Sequence, residues 1–193
     1  MHRIVVLVSG TGSNMEALIQ ACRRGDVPGE VVAVVADRSC LGLDIAAGFD
    51  VPTVLLEPSR FASRDEWSAA LHDEVARFEP DLVVSAGFMR ILSPVFVDAF
   101  EGRLINLHPS LLPRFPGAHA VRDALADGAA ETGTTVHFID REVDHGPIIA
   151  QERVAIEADD TEASLHERIK QKERELLPRV VRDLLQTMSS TSG

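Results

Sequence analysis

Two side chains two positions apart carry the densest chemical signal in the chain. They are Asn106 and His108, in the run Asn106-Leu107-His108-Pro109-Ser110. The apolar stretch 103–107 reads as a β-strand, and alternate residues of a strand face the same side. Pro109 disfavours helix at His108 and ends the pairing there. A carboxamide and an imidazole are thus presented together at a strand's carboxyl end. An amide N–H and a protonated imidazole can each stabilise an oxyanion, and the imidazole can also move protons. For His108 alone, a hydrogen-bonded core histidine is the competing reading. The neighbouring Asn106 and the loop containing Pro109, Pro113 and Pro116 favour chemistry. Asp144, in the loop 139–146, supplies a carboxylate, and a carboxylate close to His108 favours the charged ring. Spacing does not establish that contact, and Asp144 equally suits a cap for the turn before Gly146-Pro147. His119, His137 and His145 stand nearby in sequence. None lies in an HxH, HExxH or i,i+4 pattern and no cysteine is close, so no metal site is expected. The lack of a G-x-S-x-G elbow argues against a serine nucleophile.

A second signal lies near the start. Ser9-Gly10-Thr11-Gly12-Ser13-Asn14 joins a buried apolar run, Ile4–Val8, to a helical pattern. Two glycines bring backbone N–H groups close to an anion, Ser13 and Asn14 add donors, and a helix N-terminus adds its dipole. That is a phosphate cradle, although the same glycines also suit a plain turn. A P-loop would need a lysine that is not there. A dinucleotide fingerprint would need a small residue where Met15 stands, although Asp37 resembles its ribose-binding acid. A single phosphate monoester is the expected ligand, with Asp37 a solvated strand-end carboxylate.

The elements that must position these groups alternate between β and α. Buried strands are expected at 4–8, 31–36, 82–86, 103–107, 134–139 and 148–156, with an edge strand at 51–56 because of Pro52. Helices are expected after Asn14, at 43–48, from the capping box Ser63-Arg-Asp-Glu66, at 95–100 and at 118–126. A long helix over 161–188 should break or kink near Pro178. The resulting fold class is α/β, a doubly wound, mostly parallel central sheet with helices on both faces. Ligands then sit beyond the strands' carboxyl ends, on the loops after Val8, Ala86, Leu107 and Ile139. Residues 1–188 read as one domain and 189–193 as a disordered tail. With 193 residues, 45% of them hydrophobic, the chain can bury an ordinary core. Nineteen basic against 30 acidic residues give a net charge of −11, which disfavours a general nucleic-acid binder. Cys22 and Cys40 match no disulfide or zinc pattern. No apolar run suits a signal peptide or a membrane span, so a cytoplasmic location is expected.

Taken together, VSGTGSN (8–14), AGFMRILSP (86–94), INLHPSLLPRFPG (105–117), GTTVHFID (133–140) and VDHGPII (143–149) resemble the phosphoribosylglycinamide formyltransferases. These belong to the folate-dependent formyltransferase superfamily, and the resemblance runs over about 3–185. It implies a Rossmann-like formyltransferase fold, with 10-formyltetrahydrofolate as co-substrate, no metal, and a monomer or homodimer acting on small molecules. It implies that Asn106, His108 and Asp144 are catalytic. Thr11, Gly12, Ser13 and Asn14 would hold a ribose 5-phosphate, and Glu173 the ribose hydroxyls, with Lys170 one turn earlier. Met89, Arg90, Ile91 and Leu92 would line the folate pocket, Asp140, Arg141, Glu142, Val143 and Asp144 its opposite wall, Asn106 would also contact the folate, and Arg64 would approach its glutamate. Without the resemblance, Glu173 and Arg64 read as solvated helix residues. His145 stands where relatives usually carry a small residue, and is expected to point to solvent.

Two rival readings remain at this stage. A non-catalytic nucleotide-binding module would use Gly10, Gly12 and Asp37. The tRNA-modifying relative within the superfamily carries a further C-terminal domain for which this chain has no length, and the acidic net charge also disfavours it.

Overall fold

The computed structural model describes residues 1–191. Seven strands form one sheet: β1 (His2–Val8), β2 (Gly29–Ala36), β3 (Thr53–Leu55), β4 (Leu82–Ser85), β5 (Leu104–His108), β6 (Glu131–Phe138) and β7 (Ile148–Ala155). Their order is β3-β2-β1-β4-β5-β6-β7. The first five are parallel, while β6 and β7 run antiparallel to their neighbours. β3 lies at an edge, where the adjacent Pro52 costs no ladder bond.

Both faces of the sheet are covered. Along β1, Ile4, Val6 and Val8 pack with α1 (Ser13–Arg24) and α6 (Glu162–Thr191), whereas Val5 and Leu7 pack with α3 (Arg64–Arg77) and α4 (Pro94–Ala99). This is the period-two alternation of a strand buried on both sides. Two shorter helices, α2 (Leu41–Gly48) and α5 (Ala120–Ala126), complete the layers. The expected caps are present. Gly25 ends α1 in the left-handed region at φ 83. Ser63 Oγ accepts from the Glu66 N–H at 3.1 Å, and the Glu66 carboxylate accepts from Ala62 N–H rather than from Ser63 itself.

Three expectations need correction. α6 runs unbroken through Pro178. A proline inside a helix costs about 3 kcal/mol. Leu176, Leu177, Val180, Val181 and Leu185 are all buried around it, and each contributes about 1.5–3 kcal/mol, so packing wins. The tail expected from Ser189 is helical through Thr191. The hydroxyls of Ser189, Ser190 and Thr191 bond the carbonyls of Leu185, Gln186 and Thr187 at 3.0–3.1 Å, and His2 Nε2 lies 2.7 Å from Ser189 Oγ. Positions 192–193 of that expected tail lie outside the described residues.

The third correction concerns the loop after Ile139. Because β6 is antiparallel, this loop leaves the sheet near the start of β5, where Ile139 N–H bonds the Leu104 carbonyl at 2.9 Å. It does not leave from the carboxyl ends of the parallel strands. The chain folds back across the sheet, and Asp144, at φ 55, brings its side chain to the end of β5.

Candidate active site

The register of the parallel strands sets the floor of the site. Val8 pairs with Ala36, Leu7 with Ser85, and Ser85 with Asn106. Ser9, Asp37, Ala86 and Asn106 therefore come out at one end of the sheet.

At that end the 9–14 loop turns into α1. Gly12 is in the left-handed region at φ 72, and a Cβ there would lie 2.7 Å from the Gly42 Cα, so only glycine fits. Gly12 is the N-cap of α1 and provides no side-chain cap. The first-turn amides thus remain available to an anion. Thr11 is exposed and Ser13 half-buried beside them. Asn14 turns inward, and its Nδ2 donates to Glu173 Oε2 at 2.9 Å. Thr134 Oγ1 lies 3.2 Å from Glu173 Oε1 and 3.1 Å from the His108 carbonyl. Glu173 is 4% exposed, which overturns the solvated reading. Burial pushes its carboxyl above the usual range, and the bonds from Asn14 and Thr134 offset only part of that. Asn14 Oδ1 is buried without a partner. Lys170 is half-buried one turn earlier on α6 and close enough to act electrostatically on Glu173.

The expected trio does converge. His108 Nδ1 is 3.5 Å from Asp144 Oδ1, with both side chains under a tenth exposed. His108 Nε2 is 2.9 Å from the Phe115 carbonyl. Both ring nitrogens therefore face oxygen acceptors. Asp144 Oδ2 accepts from the Gly117 N–H at 2.7 Å. The 109–117 loop thus braces the acid and the imidazole at once.

A fourth group belongs to this cluster. His137 pairs with Asn106 across β5 and β6. Its Nδ1 is 2.8 Å from the Phe138 carbonyl and its Nε2 is 3.3 Å from Asn106 Nδ2. Burial holds His137 below the usual histidine range, so it is neutral near pH 7. Nδ1 must then donate, and Nε2 accepts from the Asn106 amide. Sequence reasoning weighed His137 only as a metal ligand. Its place in the expected strand 134–139 fixes only which face it shares, and the pairing with Asn106 depends on the antiparallel course of β6.

An open groove of about 490 Å³ is lined by residues that include Phe61, Arg64, Trp67, Met89, Arg90 and Ile91, and its Met89 N–H bonds Ser9 Oγ at 2.8 Å, just past the end of β1. Met89 and Ile91 are exposed apolar side chains, while Leu92 packs into the core. Arg64 Nη2 donates to the Ile91 carbonyl at 3.0 Å. On the other side, Arg141 makes two bonds to Asp98, at 2.9 and 2.7 Å, which tie the 140–144 loop to α4. Glu142 and Val143 are exposed at its tip. Asp140 lies 3.1 Å from His145 Nδ1, and that bond, with Glu142 nearby, raises the histidine. His145 is 68% exposed, as expected of a solvent-facing side chain.

Asp37 is not the expected solvated carboxylate. It is 2% exposed and accepts from Ser9 Oγ at 2.6 Å and Arg90 Nε at 2.8 Å. Burial pushes its carboxyl up, but the bonds from Ser9, Arg90 and Arg38 outweigh that, and the net direction is down. Its oxygens are thus engaged within the chain, which argues against the nucleotide-module reading.

A doubly wound α/β sheet that carries a carboxamide–imidazole–carboxylate cluster at the end of β5 has the make-up of an enzyme site. The chain belongs to the formyl transferase family, whose model matches residues 2–181. It is 53% identical over 175 residues to a phosphoribosylglycinamide formyltransferase of Mycobacterium tuberculosis, covering 91% of this chain and 81% of that one. It is 45% identical over 179 residues to the enzyme of the same name from Escherichia coli, covering 92% and 84%. Its fold matches a glycinamide ribonucleotide transformylase from Geobacillus kaustophilus with a TM-score of 0.92 at 40% identity, covering 96% of this chain and 99% of that one.

Proposed function

We propose that this enzyme transfers the formyl group of 10-formyltetrahydrofolate to the amine of 5'-phosphoribosylglycinamide, in de novo purine synthesis. The products are formylglycinamide ribonucleotide and tetrahydrofolate. The carrying observation is the convergence of His108 and Asp144, with Asn106 joined to them through His137, at the end of β5.

The open amides of α1, with Thr11 and Ser13, would take the phosphate. Asn14, Glu173 and Lys170 would take the ribose side. The exposed Met89 and Ile91, the backbone of Arg90 and Leu92, and the 140–144 loop would hold the folate, with Arg64 toward its glutamate. These residues fit such a ligand, since apolar side chains flank a few polar groups. The folate supplies a one-carbon unit at the formyl level.

The substrate's neutral amine adds to the formyl carbon, and the carbonyl oxygen takes up negative charge. Asn106 Nδ2 has two protons. One is spent on His137 Nε2 and the other is left for that oxygen. His108, when protonated, adds a positive charge to the Asn106 donor. Asp144 Oδ1 faces its Nδ1 at 3.5 Å. Through a water, it relays a proton from the attacking nitrogen to the departing folate nitrogen. One C–N bond forms and one breaks, with no net proton change. Holding both substrates side by side supplies much of the acceleration. The proposed compartment is the cytoplasm.

The test is to mix the purified protein with glycinamide ribonucleotide and a 10-formyl folate analogue and follow deformylation by absorbance. Turnover that requires the ribonucleotide is expected. Its absence across a range of pH rejects the reading.

A further inference from the structure

The proposed chemistry leaves one buried charge unused. Asp37 directly follows β2, and its carboxylate is as buried as the core around it. One of its partners, Arg90, lines the groove. Oδ1 accepts from Ser9 Oγ at 2.6 Å, and Oδ2 accepts from Arg90 Nε at 2.8 Å and from Arg38 Nη2 at 3.2 Å. A carboxylate can only accept, so the single Ser9 proton must point at it. The hydroxyl oxygen is thereby turned to receive the Met89 N–H, which it does at 2.8 Å. Two successive residues of the groove wall, Met89 by its backbone and Arg90 by its side chain, are thus fastened to one carboxylate.

The fastening matters because this wall has little else to hold it. Met89 is 57% and Ile91 59% exposed, so burial does not fix their backbone. Apart from the Asp37 network, the Arg64 bond to the Ile91 carbonyl is the side-chain contact that reaches this segment.

We propose that Asp37 is a positioning residue for the folate side of the reaction, fixing the 89–91 backbone through the Ser9 hydroxyl and Arg90 Nε. This rests on the formyl-transfer reading above. Asp37→Asn keeps an acceptor for Ser9 but sets an amide N–H against Arg90 Nε–H. Ser9→Ala leaves the carboxylate and both arginines in place and removes the link to Met89. It also carries the test alone if Asp37→Asn does not fold.

The experiment measures kcat, the KM for each substrate and amide hydrogen exchange at Met89 in the wild type and both variants. The folate KM is expected to rise on the order of tenfold, the worth of one charge-assisted hydrogen bond. Met89 exchange should quicken, while kcat and the ribonucleotide KM stay within about twofold. An unchanged folate KM in the folded variants overturns the proposal. So does an equal rise in both KM values, which marks a general structural loss. An inactive wild type instead refutes the underlying formyl-transfer reading, and the positioning role falls with it.

Discussion

Asn106→Ala separates binding from chemistry most cleanly. The side chain sits in β5, half-buried, and its protein contact is the 3.3 Å approach to His137 Nε2. Truncation therefore costs folding about 1 kcal/mol, the worth of one neutral hydrogen bond. For a chain of this size that lowers Tm by roughly 2–4 °C. The catalytic cost is larger, because the lost N–H faces charge that develops only as the amine adds. Removing one such donor typically costs about 3–4 kcal/mol, or roughly 10²–10³ in kcat. A donor that acts mainly on the developing oxyanion leaves both KM values within about threefold. The assay is steady-state formyl transfer with each substrate varied, alongside a thermal melt. His137→Leu is the companion variant. It keeps the amide but frees it to flip, and should lower kcat by about fivefold, the factor that corresponds to one lost neutral hydrogen bond. A kcat within threefold of wild type in Asn106→Ala, or a loss expressed wholly in KM, refutes the reasoning.

Glu173→Gln should trade binding for stability. Burial raises the Glu173 carboxyl, so the native state holds that proton more tightly than the unfolded chain. Wild-type stability then falls as pH rises from the ordinary carboxylate value through the raised one. The glutamine variant should melt higher than wild type at pH 8, converge with it below about pH 4, and bind the ribonucleotide more weakly by calorimetry. A variant that melts lower at pH 8 contradicts this. Gly12→Ala meets the Gly42 backbone at φ 72 and should lose about 2 kcal/mol or more. That loss is visible in denaturant titration, together with a weakened phosphate site. His145→Ala should give a pH–rate profile that overlays wild type, since that imidazole is exposed and paired with Asp140 and Glu142 rather than with the reacting groups. A displaced limb in that profile would place His145 in the proton path.

The parts of this molecule that follow local rules were legible in the sequence. β-branched runs became the buried strands, Ser63 and Gly25 became caps, and the two-residue spacing of Asn106 and His108 put both on one face. The parts that depend on long-range pairing were not. Nothing local shows that β6 runs antiparallel, so neither the path of the loop carrying Asp144 nor the pairing of His137 with Asn106 could be read. Glu173 and Asp37 look like surface acids in sequence because their partners, Asn14, Thr134, Ser9 and Arg90, come from distant positions. Pro178 signals a break by its own chemistry, and only the apolar residues around it, buried by a sheet from the other end of the chain, override that signal.

The sharpest test is the single-turnover rate of Asp144→Asn with both substrates bound at saturation. This variant keeps the side chain's shape 3.5 Å from His108 Nδ1 but removes the charge. The account predicts a loss on the order of 10³ or more, since the relay of a proton and the support of the imidazolium fail together. A rate within tenfold of wild type would show that the carboxylate beside this imidazole does not drive the transfer.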